Sequence, residues 1–136
     1  VRMGKCRIIP TAQKEIASSA DPLQILIQYE SAIPVSNASL ELRIWNIHEQ
    51  IVTSISSIGQ NLPIEIYPGA NTIAVDIPSL ALVPGHYRLA GGFRKDGEFL
   101  GWAYDLAYFD ISPPSDFKVS EGFFVTPAKI KASQAY

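Results

Sequence analysis

The sequence predicts an all-β protein, an immunoglobulin-like antiparallel β-sandwich of seven to eight strands. Short stretches in which apolar and polar residues alternate recur along the chain, and turns that contain Pro or Gly separate them. No stretch keeps the 3.6-residue periodicity that an amphipathic helix requires. Short strands at regular spacing are typical of a sandwich, and a closed barrel is the alternative fold.

Length and composition indicate one globular domain. The chain has 136 residues, of which 47% are hydrophobic and 18% charged, so we expect a single domain over residues 1–136. The formal net charge of −2 provides no basic surface, which argues against a nucleic-acid partner. No apolar run reaches the roughly 18 residues of a membrane-spanning helix. Because the sequence starts at Val1 with neither an initiator Met nor a signal peptide, we expect it to derive from a longer polypeptide or a processed one.

Three strands are predicted in the first part of the chain, at residues 3–9, 23–30 and 39–47. Pro10 ends the first of them, because proline cannot donate to a strand ladder. Residues 11–21 are rich in Ser and Ala and are expected to form a connection with room for one helical turn. Residues 31–38, which contain Pro34 and Asn37, are expected to form a loop.

Three further extended segments follow, at residues 51–56, 64–67 and 71–78, the first of them after a turn at residues 48–50. Residues 115–136 are treated as a C-terminal extension of the domain. Within it, only residues 122–126 have the composition of an added or exchanged strand.

The clearest structural signature is a β-hairpin over residues 80–111. Pro84-Gly85 turns the chain before the first strand, and Asp96-Gly97 within residues 95–98 marks the hairpin loop. Tyr87 follows the Pro-Gly turn, so its hydroxyl is expected to bond a backbone group at this corner. Gly91-Gly92 lies in the middle of a strand, which indicates the close approach of another group.

In the usual sandwich order, the strand at residues 39–47 lies beside this hairpin, and alternation gives the strands a core face and an outer face. The predicted core face comprises Leu40, Leu42, Ile44, Tyr87, Leu89, Phe93, Phe109 and Ile111. The predicted outer face comprises Arg43, Trp45, Arg88, Ala90, Gly92, Arg94, Tyr104 and Tyr108. Ala90 and Gly92 would form a floor between aromatic and arginine walls.

We predict a carbohydrate-binding site on this outer face, made of Arg43, Trp45, Arg88, Arg94, Trp102, Tyr104 and Tyr108. Aromatic rings stack on the C–H faces of sugars, and guanidinium groups bond hydroxyl or anionic oxygens. The arginines lead to a further hypothesis, that the recognised end carries an anionic group such as a phosphate. Structural roles stay open: Trp45 as a half-buried sheet residue, and the arginines as solvated charges. A one-residue bulge between Trp102 and Asp105 would turn Tyr104 into the core.

Little in the sequence supports catalysis or a cofactor. His48 and His86 fall in predicted turns and lack metal-ligand spacing. Asp105 and Asp110 have opposite parity on their strand, which does not suit two carboxylates acting on one glycosidic bond. No nucleophile-elbow, metalloprotease or phosphate-loop motif occurs, and the single cysteine, Cys6, is expected to be a buried strand thiol. We therefore expect no enzyme activity and no cofactor in this domain.

Four segments carry a resemblance to a known family: DPLQILIQY, SLELRIWN, NTIAVDIPSLALVPGHYRL and YDLAYFDI. They lie within residues 21–111, and their spacing resembles the C-terminal domain of Wzt-type proteins, the nucleotide-binding subunits of ABC transporters that export O-antigen polysaccharide. The resemblance implies a cytoplasmic β-sandwich, located at the inner membrane through the transporter complex, that recognises the polysaccharide before export. The family's pocket residues vary with the glycan, so the resemblance transfers the binding face and no single residue.

The resemblance also implies partners. These are the O-antigen polysaccharide, through its non-reducing terminus, an ATPase domain of the same polypeptide and the membrane subunit of the transporter. A second copy of the chain, bound by exchange of a terminal strand, is implied as well. We therefore expect a non-catalytic carbohydrate-binding module. The alternative is a protein-interaction or dimerisation module, in which a second chain covers the aromatic face.

Overall fold

This computed structural model describes residues 1–10, 17–18, 21–59 and 61–112. Within these residues, every regular secondary-structure element is a β-strand. In chain order the strands are β1 Arg2–Pro10, β2 Ala17–Ser18, β3 Leu23–Ser31, β4 Val35–Trp45, β5 Ile51–Ser56, β6 Ile64–Ile66, β7 Gly69–Ile77, β8 Gly85–Lys95 and β9 Glu98–Ser112. None of these segments is a helix that could cross a membrane.

The strands form two sheets. The small sheet has the order β1-β3-β7, and the large sheet has the order β2-β9-β8-β4-β5, with β6 also paired to β4. All pairings are antiparallel except that of β2 with β9, which is parallel. The β-sandwich prediction is confirmed, and the described strands do not close into the alternative barrel. Their number is nine, two more than the lower predicted count, because β2 and β6 are very short.

The predicted loop at residues 31–38 is wrong in its second half, where β4 begins at Val35. The strand can start there because Val35 pairs with Ile66, although the register shifts before Ala38. Asn37 lies in that irregularity with φ 56°, a left-handed conformation that asparagine tolerates better than most residues. The Pro and Asn signals therefore marked an irregular strand.

Two other predictions fall partly or wholly outside the described residues. Within the predicted connection at residues 11–21, Ala17–Ser18 forms the parallel strand β2. Residues 11–16 and 19–20 lie outside the described residues, so the helical turn for which the connection had room is untested. The predicted strand at residues 122–126, with the rest of the C-terminal extension, also lies outside the described residues.

The predicted hairpin is confirmed as β8 and β9, joined by Asp96-Gly97. Both residues have positive φ, 52° and 84°, as a two-residue type I′ turn requires. β8 lies between β4 and β9, and its neighbours approach it closely. A Cβ at Gly91 would stand 2.5 Å from Leu42 Cδ2, and a Cβ at Gly92 would overlap the carbonyl oxygen of Gly101. The close approach that the two glycines predict is therefore made by the neighbouring strands, β4 at Gly91 and β9 at Gly92.

The core lies between the sheets and contains the residues predicted for it. Tyr29 of the small sheet meets Phe93 of the large sheet edge to face, with ring centroids 4.9 Å apart. Phe109 is only partly buried and stacks on Tyr87 at the core's edge, at 5.7 Å. Tyr87 donates a 2.6 Å hydrogen bond from its hydroxyl to the carbonyl of Val83, which confirms the predicted corner.

Cys6 on β1 is half-buried and packs against the core cluster. This burial withdraws the sulfur from water and raises the pKa of the Cys6 thiol from 9.0 to about 11. A thiol with so high a pKa is a weak nucleophile at neutral pH.

Candidate functional site

The outer face of the large sheet is built by β4, β8 and β9, and it contains all seven predicted site residues. We define the outer face as Glu41, Arg43, Trp45, Arg88, Ala90, Gly92, Arg94, Phe99, Trp102, Tyr104 and Tyr108. Register places Arg43 opposite Ala90, and Gly92 opposite Trp102. The predicted site residues are therefore brought together, on three adjacent strands.

Arg43 and Trp102 meet across β8. The guanidinium carbon of Arg43 lies 5.0 Å from the ring centroid of Trp102, within the range of a cation–π contact. The two side chains can reach each other because the residues of β8 between them, Ala90 and Gly92, are small. Ala90 is fully buried as a result, so the predicted floor of small residues is not accessible to solvent. The floor exists, but the face's own side chains cover it.

Glu41 holds the arginines at the hairpin end of the outer face. Its carboxylate accepts hydrogen bonds of 3.2 and 3.3 Å from Arg94 Nη1 and lies 3.7 Å from Arg43 Nη2. The Glu41 side chain is only 17% exposed, so these contacts are screened less than ordinary surface pairs. Arg94 also lies 4.7 Å from the ring centroid of Phe99 and donates to the carbonyl of Gly97.

Arg88, at the opposite end of the outer face, also contacts both an aromatic ring and a carboxylate. Its guanidinium carbon lies 5.1 Å from the ring centroid of Trp45, and its Nη2 donates a 2.8 Å hydrogen bond to Glu49 Oε2. Its Nη1 donates to the carbonyl oxygen of Tyr104 on β9. Arg88 therefore covers one face of Trp45, which is half-buried, as the structural alternative for this residue expected.

The turn that presents Glu49 is organised by Asn46. Asn46 Oδ1 accepts hydrogen bonds from the backbone N–H groups of His48 and Gln50, at 2.9 and 3.1 Å. Glu49 itself has φ 58°, and its N–H donates to the carbonyl of Asn46. The turn thus holds the carboxylate of Glu49 beside Arg88 by local hydrogen bonds.

A bulge in β9 decides where Tyr104 points. Leu89 pairs with Ala107 and Gly91 with Ala103, so residues 104–106 together oppose Ala90. Two extra residues leave the alternation unchanged on both sides of the bulge. Tyr104 therefore stays on the outer face, and the one-residue bulge that would have buried it is wrong.

Aromatic rings line the outer face along β9. Tyr104 and Tyr108 are each 73% exposed, and Phe99 is 52% exposed. Trp102 lies between two of them, with its ring centroid 5.0 Å from Phe99 and 6.4 Å from Tyr104. We call Phe99, Trp102, Tyr104 and Tyr108 the aromatic row.

The predicted site omitted three residues: Phe99 and Glu41 of the outer face, and Glu49, which pairs with Arg88. By parity with Trp102, Phe99 should face the core, but a register shift between Phe93 and Arg94 moves it to the outer face. No sequence signal announces that shift. Glu41 had the correct parity and could have been found from the alternation on its strand.

Histidines and carboxylates elsewhere on these strands form no metal site. His86, predicted to lie in a turn, is instead in β8, where its Nδ1 lies 2.6 Å from Asp110 Oδ1. The prediction failed because β8 starts directly at Gly85. Within the described part of the chain, no three His, Cys, Asp or Glu side chains are grouped as metal ligands.

Comparisons with known proteins give structural neighbours only. No protein-family model matches the chain, and no curated protein matches it. A crystal structure of the C-terminal domain of Wzt superimposes with a TM-score of 0.69 at 13% identity, covering 89% of this chain and 81% of that one.

Two carbohydrate-active enzymes also contain a similar unit. A cycloisomaltooligosaccharide glucanotransferase of Paenibacillus sp., complexed with cycloisomaltoheptaose, has a TM-score of 0.50 at 22% identity over 84% of this chain. A candidate β-galactosidase of Bacteroides fragilis has a TM-score of 0.51 at 17% identity over 77% of it. The chain spans only 14% and 16% of these two enzymes, so the likeness concerns one unit of each. At these identities the neighbours show a shared fold.

Proposed function

We propose that this chain is a non-catalytic carbohydrate-binding module whose ligand lies on the aromatic row. The observation that carries the proposal is the exposure of three rings of this row, those of Phe99, Tyr104 and Tyr108, on one strand. Exposed aromatic side chains in a line on a flat sheet fit a chain of sugar rings, which offer apolar C–H faces and hydroxyl edges. Tyrosine suits such a ligand because its ring is apolar and its hydroxyl donates and accepts hydrogen bonds.

The remaining predicted residues support the row in this proposal. Arg43 and Trp102 brace each other across β8, and Arg88 binds the backbone of Tyr104. Trp45 has one ring face covered, so we assign it to the support of Arg88. Ligand contact is assigned first to Tyr104 and Tyr108.

The biological setting is proposed from the sequence resemblance, to which the structural neighbour adds a matching fold. In this setting the module recognises an O-antigen polysaccharide at its non-reducing terminus for export by an ABC transporter. It is then a cytoplasmic unit at the inner membrane, joined to an ATPase domain, bound to a membrane subunit and present as a homodimer.

The test is a titration of the host's own O-polysaccharide into the wild type and into Tyr104→Ala and Tyr108→Ala. Tyr67→Ala is the matched control, because Tyr67 is 60% exposed but lies between β6 and β7. Each outer-face substitution is expected to weaken binding by about 0.5–1.5 kcal/mol, the range of one stacking contact. Thermal melts show that each variant is folded. Unchanged affinity in both variants would contradict the proposed binding site.

A second candidate, a self-association module, is favoured by the β5 edge of the large sheet. Residues 50–64 contain no charged side chain, although sheet edges are commonly protected by charge. Ile51, Val52, Ile58 and Leu62 are exposed there. Two identical uncharged edges can meet without repulsion, so the partner proposed is a second copy of the chain. Val52→Lys should then lower the sedimentation coefficient, whereas Thr72→Lys on β7 should not; a monomeric wild type contradicts this candidate.

A further inference from the structure

We infer that the outer face selects uncharged saccharides, and that exposed carboxylates beside the tyrosines accept hydrogen bonds from sugar hydroxyls. This rests on the proposed carbohydrate-binding function and names its ligand class. It replaces the hypothesis that the three arginines hold an anionic end group such as a phosphate.

The arginines of the outer face are already neutralised. Arg94 and Arg43 share the carboxylate of Glu41, and Arg88 binds that of Glu49. Each guanidinium is also stacked on an aromatic ring, at 4.7–5.1 Å. The side chains of Arg43, Arg88 and Arg94 are 34%, 16% and 29% exposed, so most of each side chain is withdrawn from solvent.

A phosphate or uronate would therefore meet an unfavourable exchange. To form the paired hydrogen bonds that make arginine a good anion receptor, it would have to displace Glu49 from Arg88 or Glu41 from Arg94. Those carboxylates would stay within a few ångströms and repel the newcomer. The three guanidinium groups thus have Glu41 and Glu49 as partners, and Asp105 and Asp110 add two exposed carboxylates on β9.

The accessible polar groups near the row have the opposite preference. Asp105 follows Tyr104 directly, is exposed, and makes no salt bridge with any described residue. Asp110 is two residues beyond Tyr108 on the same face of β9, with a side chain that is 57% exposed and touches His86 through Oδ1. Ionised carboxylates only accept hydrogen bonds, and sugar hydroxyls are abundant donors. Hydroxyls of a neutral glycan can donate to these groups, whereas a phosphate or carboxylate substituent would be repelled by them.

The experiment is a microbial glycan array that holds neutral, phosphorylated and uronate-containing oligosaccharides. It is read with the wild type and three variants: Asp105→Asn, Glu49→Gln and the control Asp76→Asn. Asp76 lies on β7 of the small sheet and accepts a hydrogen bond from Gln24, whereas the aromatic row lies on β9 of the large sheet. Binding to the strongest glycan is then repeated at low and at high salt, about a tenfold change in ionic strength.

Supporting results are a neutral set of binders, affinity that hardly changes with salt, and about a tenfold or larger loss in Asp105→Asn but not in Asp76→Asn. Glu49→Gln should add acidic glycans to the binders, because it frees the Arg88 charge. Binders that are mainly acidic in the wild type, with affinity that falls steeply as salt rises, overturn the inference and leave the proposed function standing. A wild type that binds neither an array glycan nor the host's own O-polysaccharide contradicts the proposed function itself.

Discussion

The side chains of Arg43 and Trp102 lie 5.0 Å apart, guanidinium carbon to ring centroid, although β8 separates their strands. The contact closes over Ala90 and joins β4 to β9 on the outer face. It links two strands that share no backbone hydrogen bonds. Such a link contributes to stability only if both partners are present.

A double-mutant cycle on this pair should therefore show coupling. Arg43→Ala and Trp102→Ala, made singly and together, are expected to give an interaction free energy of about 0.5–1 kcal/mol in urea unfolding. The contact is partly exposed, which keeps the value at the lower end. Purely additive effects would show that the stacking does not contribute.

Gly92→Ala should destabilise the protein strongly. A Cβ at position 92 would overlap the carbonyl oxygen of Gly101 and lie 2.8 Å from the Cα of Trp102, so β8 and β9 would have to separate. The expected loss of unfolding free energy is about 1–3 kcal/mol. Gly59→Ala is the control, because its nearest neighbour is 3.6 Å away. Equal melting temperatures for the two variants would contradict the close approach of the strands.

Tyr87→Phe should cost about 0.5–1.5 kcal/mol of stability. The substitution removes the 2.6 Å hydrogen bond from the Tyr87 hydroxyl to the Val83 carbonyl but keeps the ring that stacks on Phe109. Tyr104→Phe removes a hydroxyl from an exposed ring and should leave the urea midpoint unchanged. If the two substitutions have the same effect, the corner hydrogen bond makes no contribution.

Stability should fall at alkaline pH partly through Cys6. Because burial raises the thiol pKa from 9.0 to about 11, the unfolded chain releases this proton first as the pH rises. The Cys6 contribution is fully present below pH 9 and is lost progressively up to about pH 11. Urea unfolding at several pH values should show a smaller alkaline loss for Cys6→Ser. Parallel pH profiles of the wild type and the variant would contradict the raised pKa.

The faces of the central strands could be predicted because a sandwich interior strongly favours apolar side chains. Leu42 and Leu89 are fully buried, as their alternation requires. Asp96-Gly97 could be assigned because few residue pairs adopt two successive positive φ angles. Both are local properties, which a pattern of a few residues contains.

The contacts of the site could not be predicted in the same way, because they depend on register between distant strands. The two-residue bulge that keeps Tyr104 outside and the shift that turns Phe99 outward arise only when β8 and β9 pair. The pairing of Arg88 with Glu49 needs, in addition, the left-handed conformation of Glu49 in its turn. Three arginines that look available in the sequence are occupied in the fold.

The hydrogen bond from Arg88 to Tyr104 ends on a backbone oxygen, which every amino acid possesses. Replacement of the side chain at position 104 therefore leaves this anchor in place. Tyr108 is equally exposed, so we expect replacement of either side chain to disturb the buried residues beneath it little. If the proposed carbohydrate-binding function is correct, recognition and foldability depend on different residues, so a library randomised at positions 104 and 108 should yield new ligand preferences on an unchanged scaffold.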